Sequence, residues 1–373
     1  MGGSVGNQAG SAPNGGGGVS PGGSSSVAGA GGASAGTAGT VGVGGSGAGG
    51  GMATGGGGAS TGGGGSGGSA GSGGATAFAW PEGKTAAVSL TYDDGLDAHL
   101  AHVIPLLDSK GIKATFFIAS FSGVDKDWAL PNAADPLSPR QQAWAAAAAT
   151  GHEIGAHTVN HPCVTAINPG QGGGFKLDID YDLARIRKEL DDSIVRIGRL
   201  GATMPMTFAY PCYSDALGVG PSTGQTVTVL GQQLPQGTVF TGDVNTRFFA
   251  SRGSVEGIAD PATLDLHSVH HFVAGPRTTN ETAPTLAQLT AVVDMAIAQH
   301  GWVVFLMHGV AGDTLPTNCN AGLAYAPQTC VIDYLDTPTA THDGLINYLA
   351  SKPEVWTNTF KAVAQHVKTV RGL

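Results

Sequence analysis

Charge and glycine are divided so unevenly along this chain that only part of it can build a core. The first 75 residues contain no Asp, Glu, Lys, Arg or His, and they hold 35 of the 62 glycines. Runs such as Gly15 to Gly18 and Gly62 to Gly65 have almost nothing to bury and maximal backbone entropy to lose on ordering. Residues 1–75 are therefore expected to be a disordered Gly/Ser/Ala-rich linker. Collagen is excluded, because no strict three-residue period exists and proline is sparse. All the formal charge lies in residues 76–373, enough chain for one sizeable core. The net charge of −9 with no basic cluster argues against nucleic acid as a partner. No run of about 18 apolar residues predicts a transmembrane segment, and no positive n-region followed by an apolar h-region is visible at the start.

Beyond residue 76 the pattern alternates strand and helix. Strands are expected at 86–92, 114–118, 152–157, 206–210 and 302–307, with a late short one at 355–356. Helices are expected near 100–107, at 141–150, 181–200 and 286–300, from 345 onward, and at 360–370. Gly111, Gly151 and Gly301 stand where helix C-caps belong. Repeated βα units imply a parallel sheet, open or closed into a barrel. Either architecture gathers functional residues at the C-terminal ends of strands.

The polar residues obey that rule. Asp93 and Asp94 end the first strand, His157 and His161 follow the third, Tyr210 and Pro211 end the fourth, and His308 ends the strand at 302–307. Two imidazoles four residues apart face one way on a helical turn, and with one carboxylate they make a divalent metal site with an open position. The run His152-Glu153-Ile154-Gly155-Ala156-His157 is not a zincin signature, since its histidines lie five apart on a strand; His152 and Glu153 are read as structural. Asp93 and Asp94 point to opposite sides of a regular strand, but a bend there lets both reach one pocket. One carboxylate can then bind metal while the other handles a proton, the metal charge relieving their repulsion.

These residues resemble the polysaccharide deacetylases of the NodB-homology type, carbohydrate esterase family 4, over roughly residues 84–370. Thr91-Tyr92-Asp93-Asp94-Gly95 is similar to that family's first motif, T-[FY]-D-D-G, and His157-Thr158-Val159-Asn160-His161 to its second, H-[ST]-x-x-H. Phe208-Ala209-Tyr210-Pro211-Cys212-Tyr213 resembles the third, and Leu306-Met307-His308 the fifth, L-x-H. The resemblance implies a distorted (β/α) barrel of seven or eight strands. It also implies that Asp94, His157 and His161 bind a divalent metal, most simply Zn²⁺, that Asp93 is the general base, and that His308 is the general acid. Tyr210, Pro211, Cys212 and Leu306 would contact substrate, with a backbone N–H near Cys212 holding the oxyanion. The reaction implied is hydrolytic removal of N-acetyl, or O-acetyl, groups from a carbohydrate polymer by a monomeric enzyme. Two rival readings are a metal-dependent amidase acting on a non-sugar substrate and a catalytically inactive carbohydrate-binding domain.

Three departures from the family pattern matter. The arginine that often follows the Phe of the third motif is Ala209 here, and the fourth motif, D-x-x-D-W, is absent between 213 and 300, where Asp243 and Asp265 are the acidic candidates. Gly309 stands where an Asp is common. A base Asp beside a metal needs a cation to hold it. Phe248 to Gly253 reads as a short apolar strand ending in Arg252, so Arg252 is expected to pair with Asp93. Arg247 is the competitor, and Glu256 the alternative partner for Arg252. The four cysteines fall into two pairs, Cys163–Cys212, whose members both flank motif residues that must converge, and Cys319–Cys330, which close a short loop. Two disulfides imply an oxidising compartment, so an extracellular or cell-envelope location is expected.

Overall fold

The computed structural model describes residues 78–119, 136–164, 176–217, 226–229, 232–235, 238–277, 281–311 and 335–373. The linker expected at 1–75 and the Cys319–Cys330 pair lie outside the described residues. Seven parallel strands close into a barrel: β1 (Ala86–Asp93), β2 (Thr115–Ile118), β3 (Glu153–Ala156), β4 (Thr207–Ala209), β5 (Ala250–Glu256), β6 (Val269–Val273) and β7 (Trp302–Met307). The ring closes where β7 pairs with β1, from Ala87↔Trp302 to Tyr92↔Met307. An eighth strand, β8 (Val355–Thr357), pairs with the start of β1. The expected (β/α) barrel of seven or eight strands is thus a closed seven-stranded ring with an eighth strand on its flank.

Helices α1 (Ile104–Ser109), α2 (Pro139–Ala149), α3 (Leu183–Arg199), α4 (Leu286–Gln299), α5 (Thr339–Ala350) and α6 (Phe360–Arg371) accompany the strands. Local chemistry sets their ends. Ser138 and Gln141 form a capping box ahead of Pro139 in α2, Thr285 and Gln288 do the same for α4, and Asp182 caps α3 through the Arg185 amide, each satisfying N–H groups a helix start leaves over. Ile186, Leu190 and Ile197 form the buried stripe of α3. Helix α5 begins at Thr339, earlier than its apolar residues Leu345 and Leu349 indicate.

Strand β1 is buried along its whole length, as in a sheet covered on both faces. Val88, Leu90 and Tyr92 share one apolar cluster with residues of the surrounding helices, whereas Ala87 belongs to a second cluster with Phe117, Ala209, Ala250, Val269, Trp302 and Val304. This second cluster also contains Phe360, Val363 and Val367 of α6, with Phe360 rings 5.2 Å from Trp302 and 5.9 Å from Phe117. Helix α6 therefore packs on the end of the barrel from which the strands start. Glu153, at the start of β3, bonds Thr115, Thr207 and the Lys361 amide there, a structural role remote from the strand C-termini. His152 is likewise held structurally, by Asp108 and the Ala114 amide.

Candidate active site

At the C-terminal end of β1 the chain turns sharply. Asp94 has φ +73° and Gly95 φ +68°, a left-handed step costly for a side chain that swings Asp94 to the same side as Asp93. Among the described residues seven non-glycine positions have positive φ, and five of them stand here: Asp94, Thr158, His161, Cys212 and Tyr213. The segment 157–161 is accordingly not the helical turn expected from its spacing. It is a bend whose Thr158 (φ +60°) and His161 (φ +47°) aim both imidazoles at Asp94.

Ligand atoms of Asp94, His157 and His161 lie within 4.8 Å of one another. Asp94 Oδ1 is 3.7 Å from His157 Nε2 and 3.4 Å from His161 Nε2. The His157 Nδ1–H donates to the Ala209 carbonyl at 2.8 Å, which leaves the Nε2 lone pair facing Asp94, the usual outer-shell support of a ligating histidine. Asp94 Oδ1 is buried with no hydrogen-bond partner, a costly condition that a cation between these three groups would relieve. Burial lowers His157 and His161 to about 4, so both imidazoles are neutral and able to ligate. Burial raises the Asp94 carboxyl, opposed first by His308 and then by His157. The donor set fits a divalent ion.

Asp93 faces the interior and is met by Arg252 from β5. The guanidinium donates Nη1 to Oδ1 at 2.9 Å and Nη2 to Oδ2 at 2.5 Å, a bidentate pair. Nη1 also donates to Thr91 Oγ1 at 2.8 Å, whose hydroxyl donates to the Phe305 carbonyl at 2.7 Å. The Phe117 ring lies 5.2 Å from the guanidinium carbon. Gly155 makes room for Phe117, since a Cβ there would come within 2.5 Å of that ring. Burial alone would raise Asp93, but Arg252 and then His157 hold it well below the usual carboxylate range. Arg252 lies inside β5, which continues to Glu256, so the short strand expected to end at this arginine is longer than its apolar run. Glu256 bonds Arg277 instead, and Arg247 bonds Asp191 and Asp243.

His308 directly follows Met307, the last residue of β7. Its carbonyl accepts from His99 Nε2 at 2.7 Å. Cys163 and Cys212 form a disulfide that ties the loop after His161 to the turn after β4. Cys212 (φ +51°) and Tyr213 (φ +57°) shape that turn, with the Tyr213 amide bonded to the Tyr210 carbonyl. Tyr210 is not brought to the site: its ring is buried against Phe208 (5.0 Å) and Phe240 (5.9 Å). Pro211 and Leu306 are buried at the strand ends beside it.

Three contributors escaped the sequence reading. Glu189 of α3 holds the 157–161 bend: its Oε2 accepts from the Val159 and Asn160 amides, both at 2.9 Å, and its Oε1 from Tyr181 OH at 2.8 Å and from the Asn160 side chain. The available signal was an acid within the apolar stripe Ile186, Leu190, Ile197. His271 of β6 is buried, lowered by that burial to about 3, and stacked on Tyr213 at 5.0 Å; the Arg252 and Asp93 charges act on both. Asp97 and Arg140 form a buried ion pair at 2.9 Å behind the Gly95 turn.

Residues 81–216 match the family model described as polysaccharide deacetylase. No curated protein sequence matches the chain. Among solved structures, a Mycobacterium smegmatis protein assigned to the polysaccharide deacetylases is 15% identical, with 78% of this chain and 93% of that one covered and a TM-score of 0.46. The peptidoglycan deacetylase PdaC from Bacillus subtilis is 16% identical, with 79% and 96% covered and a TM-score of 0.38. Puue allantoinase is 10% identical, with 78% and 92% covered and a TM-score of 0.44.

Proposed function

We propose, from the match of residues 81–216 to the polysaccharide deacetylase family model, that this chain is a metal-dependent hydrolase removing acetyl groups from a carbohydrate polymer. The observation that carries the reading is the Asp94, His157, His161 donor set beside an Asp93 carboxylate clamped by Arg252. A divalent ion, Zn²⁺ by ligand type, would polarise the acetyl carbonyl and make a water acidic enough to deprotonate near neutral pH. Asp93 is ionised at neutral pH and takes the proton of the attacking water. Arg252 fixes both carboxylate oxygens and thus the angle of that transfer. The Cys212 turn presents backbone N–H to the developing oxyanion. His308, just past the end of β7, gives a proton to the departing amine or alcohol.

The polar, uncharged segment 1–75 acts in this reading as a spacer that holds the catalytic domain away from a surface. An extracellular or cell-envelope location accords with an acetylated polymer substrate and with the Cys163–Cys212 disulfide. Among the described residues no helix is long and apolar enough to cross a membrane.

The test is acetate release by the full chain from acetylated chitin oligomers, peptidoglycan, acetylated xylan and a panel of non-sugar N-acetyl amides, with and without a chelator. Chelator-sensitive release from a glycan is expected. Release from the amides alone would replace the reading with the non-sugar amidase, and no release from any substrate by metal-loaded protein would leave a binding domain.

A further inference from the structure

A second cluster of metal-ligating side chains lies on the opposite face of β1. Tyr92 precedes Asp93 and therefore points the other way, outward to the helices. Its hydroxyl meets His342 Nε2 at 2.9 Å. The other nitrogen of that ring, Nδ1, is 2.8 Å from Asp343 Oδ1, and the same oxygen is 2.8 Å from His102 Nε2. His342 and Asp343 belong to α5, and His102 to the π-turn His99–Val103 that leads into α1. One ligand atom each from His102, His342 and Asp343 lies within 4.8 Å of the other two. The cluster grades from interior to surface: the His342 side chain is 0% exposed, His102 25% and Asp343 31%.

We propose that His102, His342 and Asp343 form a second divalent metal site, on the outside of the barrel between α5 and the turn before α1. Two imidazoles and one carboxylate select a first-row transition ion such as Zn²⁺ or Co²⁺ over Ca²⁺ or Mg²⁺, which prefer oxygen ligands throughout. The open side leaves room for water to complete the coordination. Metal bonds of about 2.0–2.2 Å in a tetrahedron set ligand atoms about 3.3 Å apart, so the 2.8 Å contacts need to open by only about half an ångström. The exposed ends of His102 and Asp343 permit this.

The protons balance without any side chain gaining or losing charge. In the ion-free protein Tyr92 donates to His342 Nε2, while His342 Nδ1–H and His102 Nε2–H donate to Asp343. With the ion bound, each imidazole carries its proton on the other nitrogen, and His342 Nε2–H donates to the Tyr92 oxygen. A phenol serves equally as donor and acceptor, so Tyr92 supports His342 in both states, as an outer-shell partner of a ligating histidine does. The ion would join α5 to the turn that leads into α1, with its ligand His342 bonded to Tyr92, the residue next to Asp93.

The experiment strips the full chain with chelator and titrates it with Co²⁺, reading stoichiometry by calorimetry and ligand type by d–d absorption. Two equivalents are expected in the wild type. His102→Gln and Asp343→Asn should each retain one equivalent, with binding at the other site weakened at least tenfold. His157→Ala should retain the His102 site, and Tyr92→Phe should weaken that site about tenfold. Two equivalents unchanged in both His102→Gln and Asp343→Asn would overturn the proposal, as would a single wild-type equivalent that these variants leave intact. Neither outcome touches the site at Asp94, because loss of binding in His157→Ala reports on that site alone.

Discussion

Arg252→Lys would keep a positive charge beside Asp93 and give up the planar fork that contacts both carboxylate oxygens. An ammonium cannot reproduce a bidentate contact and a Thr91 contact at once. We expect kcat to fall by about 10²-fold with metal content unchanged, measured by acetate release against elemental analysis; a variant with normal kcat would remove Arg252 from the catalytic geometry. The two adjacent aspartates should separate in the same assays. Asp93→Asn is expected to keep the metal and lower turnover by about 10²–10⁴. Asp94→Asn should instead weaken metal binding, because a neutral amide replaces the carboxylate charge that faces both imidazoles. Equal metal loss in both variants would end this division of roles. These residues were legible because each terminates or interrupts an apolar strand with the chemistry a site needs. Arg252 could be sought only because Ala209 left Asp93 without a cation.

At the scale of elements, legibility followed the apolar pattern. Strand β7, six buried residues in a row, was read with its observed ends. Strand β6 was missed, because Val269-His270-His271-Phe272-Val273 places two histidines where periodicity looks for apolar residues, and His271 is buried by the site, not by a core. The 157–161 bend was misread as helical because four-residue spacing alone cannot reveal positive φ at Thr158 and His161. That conformation is imposed by tertiary partners, chiefly Glu189 with its two backbone amides. Glu189→Gln keeps the shape and the accepting oxygen but sets an NH₂ group against donors on the other side. We expect metal affinity to fall about tenfold, read by chelator competition, with the helical circular dichroism retained. Unchanged affinity would show that the bend holds its histidines without α3.

Burial of histidine around one barrel mouth gives the whole molecule a pH response in its metal-free form. Burial lowers His99, His157 and His161 to about 4 and His271 to about 3, against an unfolded value of about 6.5. Between about pH 6.5 and 4 the unfolded chain therefore binds protons on these groups and the folded chain does not, so stability falls as pH falls through that window. Asp93, held below its ordinary value, adds a further loss beneath about pH 3.9. Asp94, Glu153 and Asp215 are raised by burial and work in the opposite sense, but they are three groups against seven histidines, since burial lowers His152, His267 and His342 as well. Each of the first four histidines contributes on the order of 1–2 kcal/mol between pH 7 and 5, so the urea midpoint of chelator-treated protein should drop clearly over that interval. Added Zn²⁺ should raise the midpoint at pH 7 by binding Asp94, His157 and His161 in the folded state only. That increment should persist towards pH 5, because His157 and His161, lowered to about 4 in the folded state, stay unprotonated over the interval. A midpoint that stays level from pH 7 to 5 without metal would mean that these histidines gain partners or water that the buried geometry does not provide.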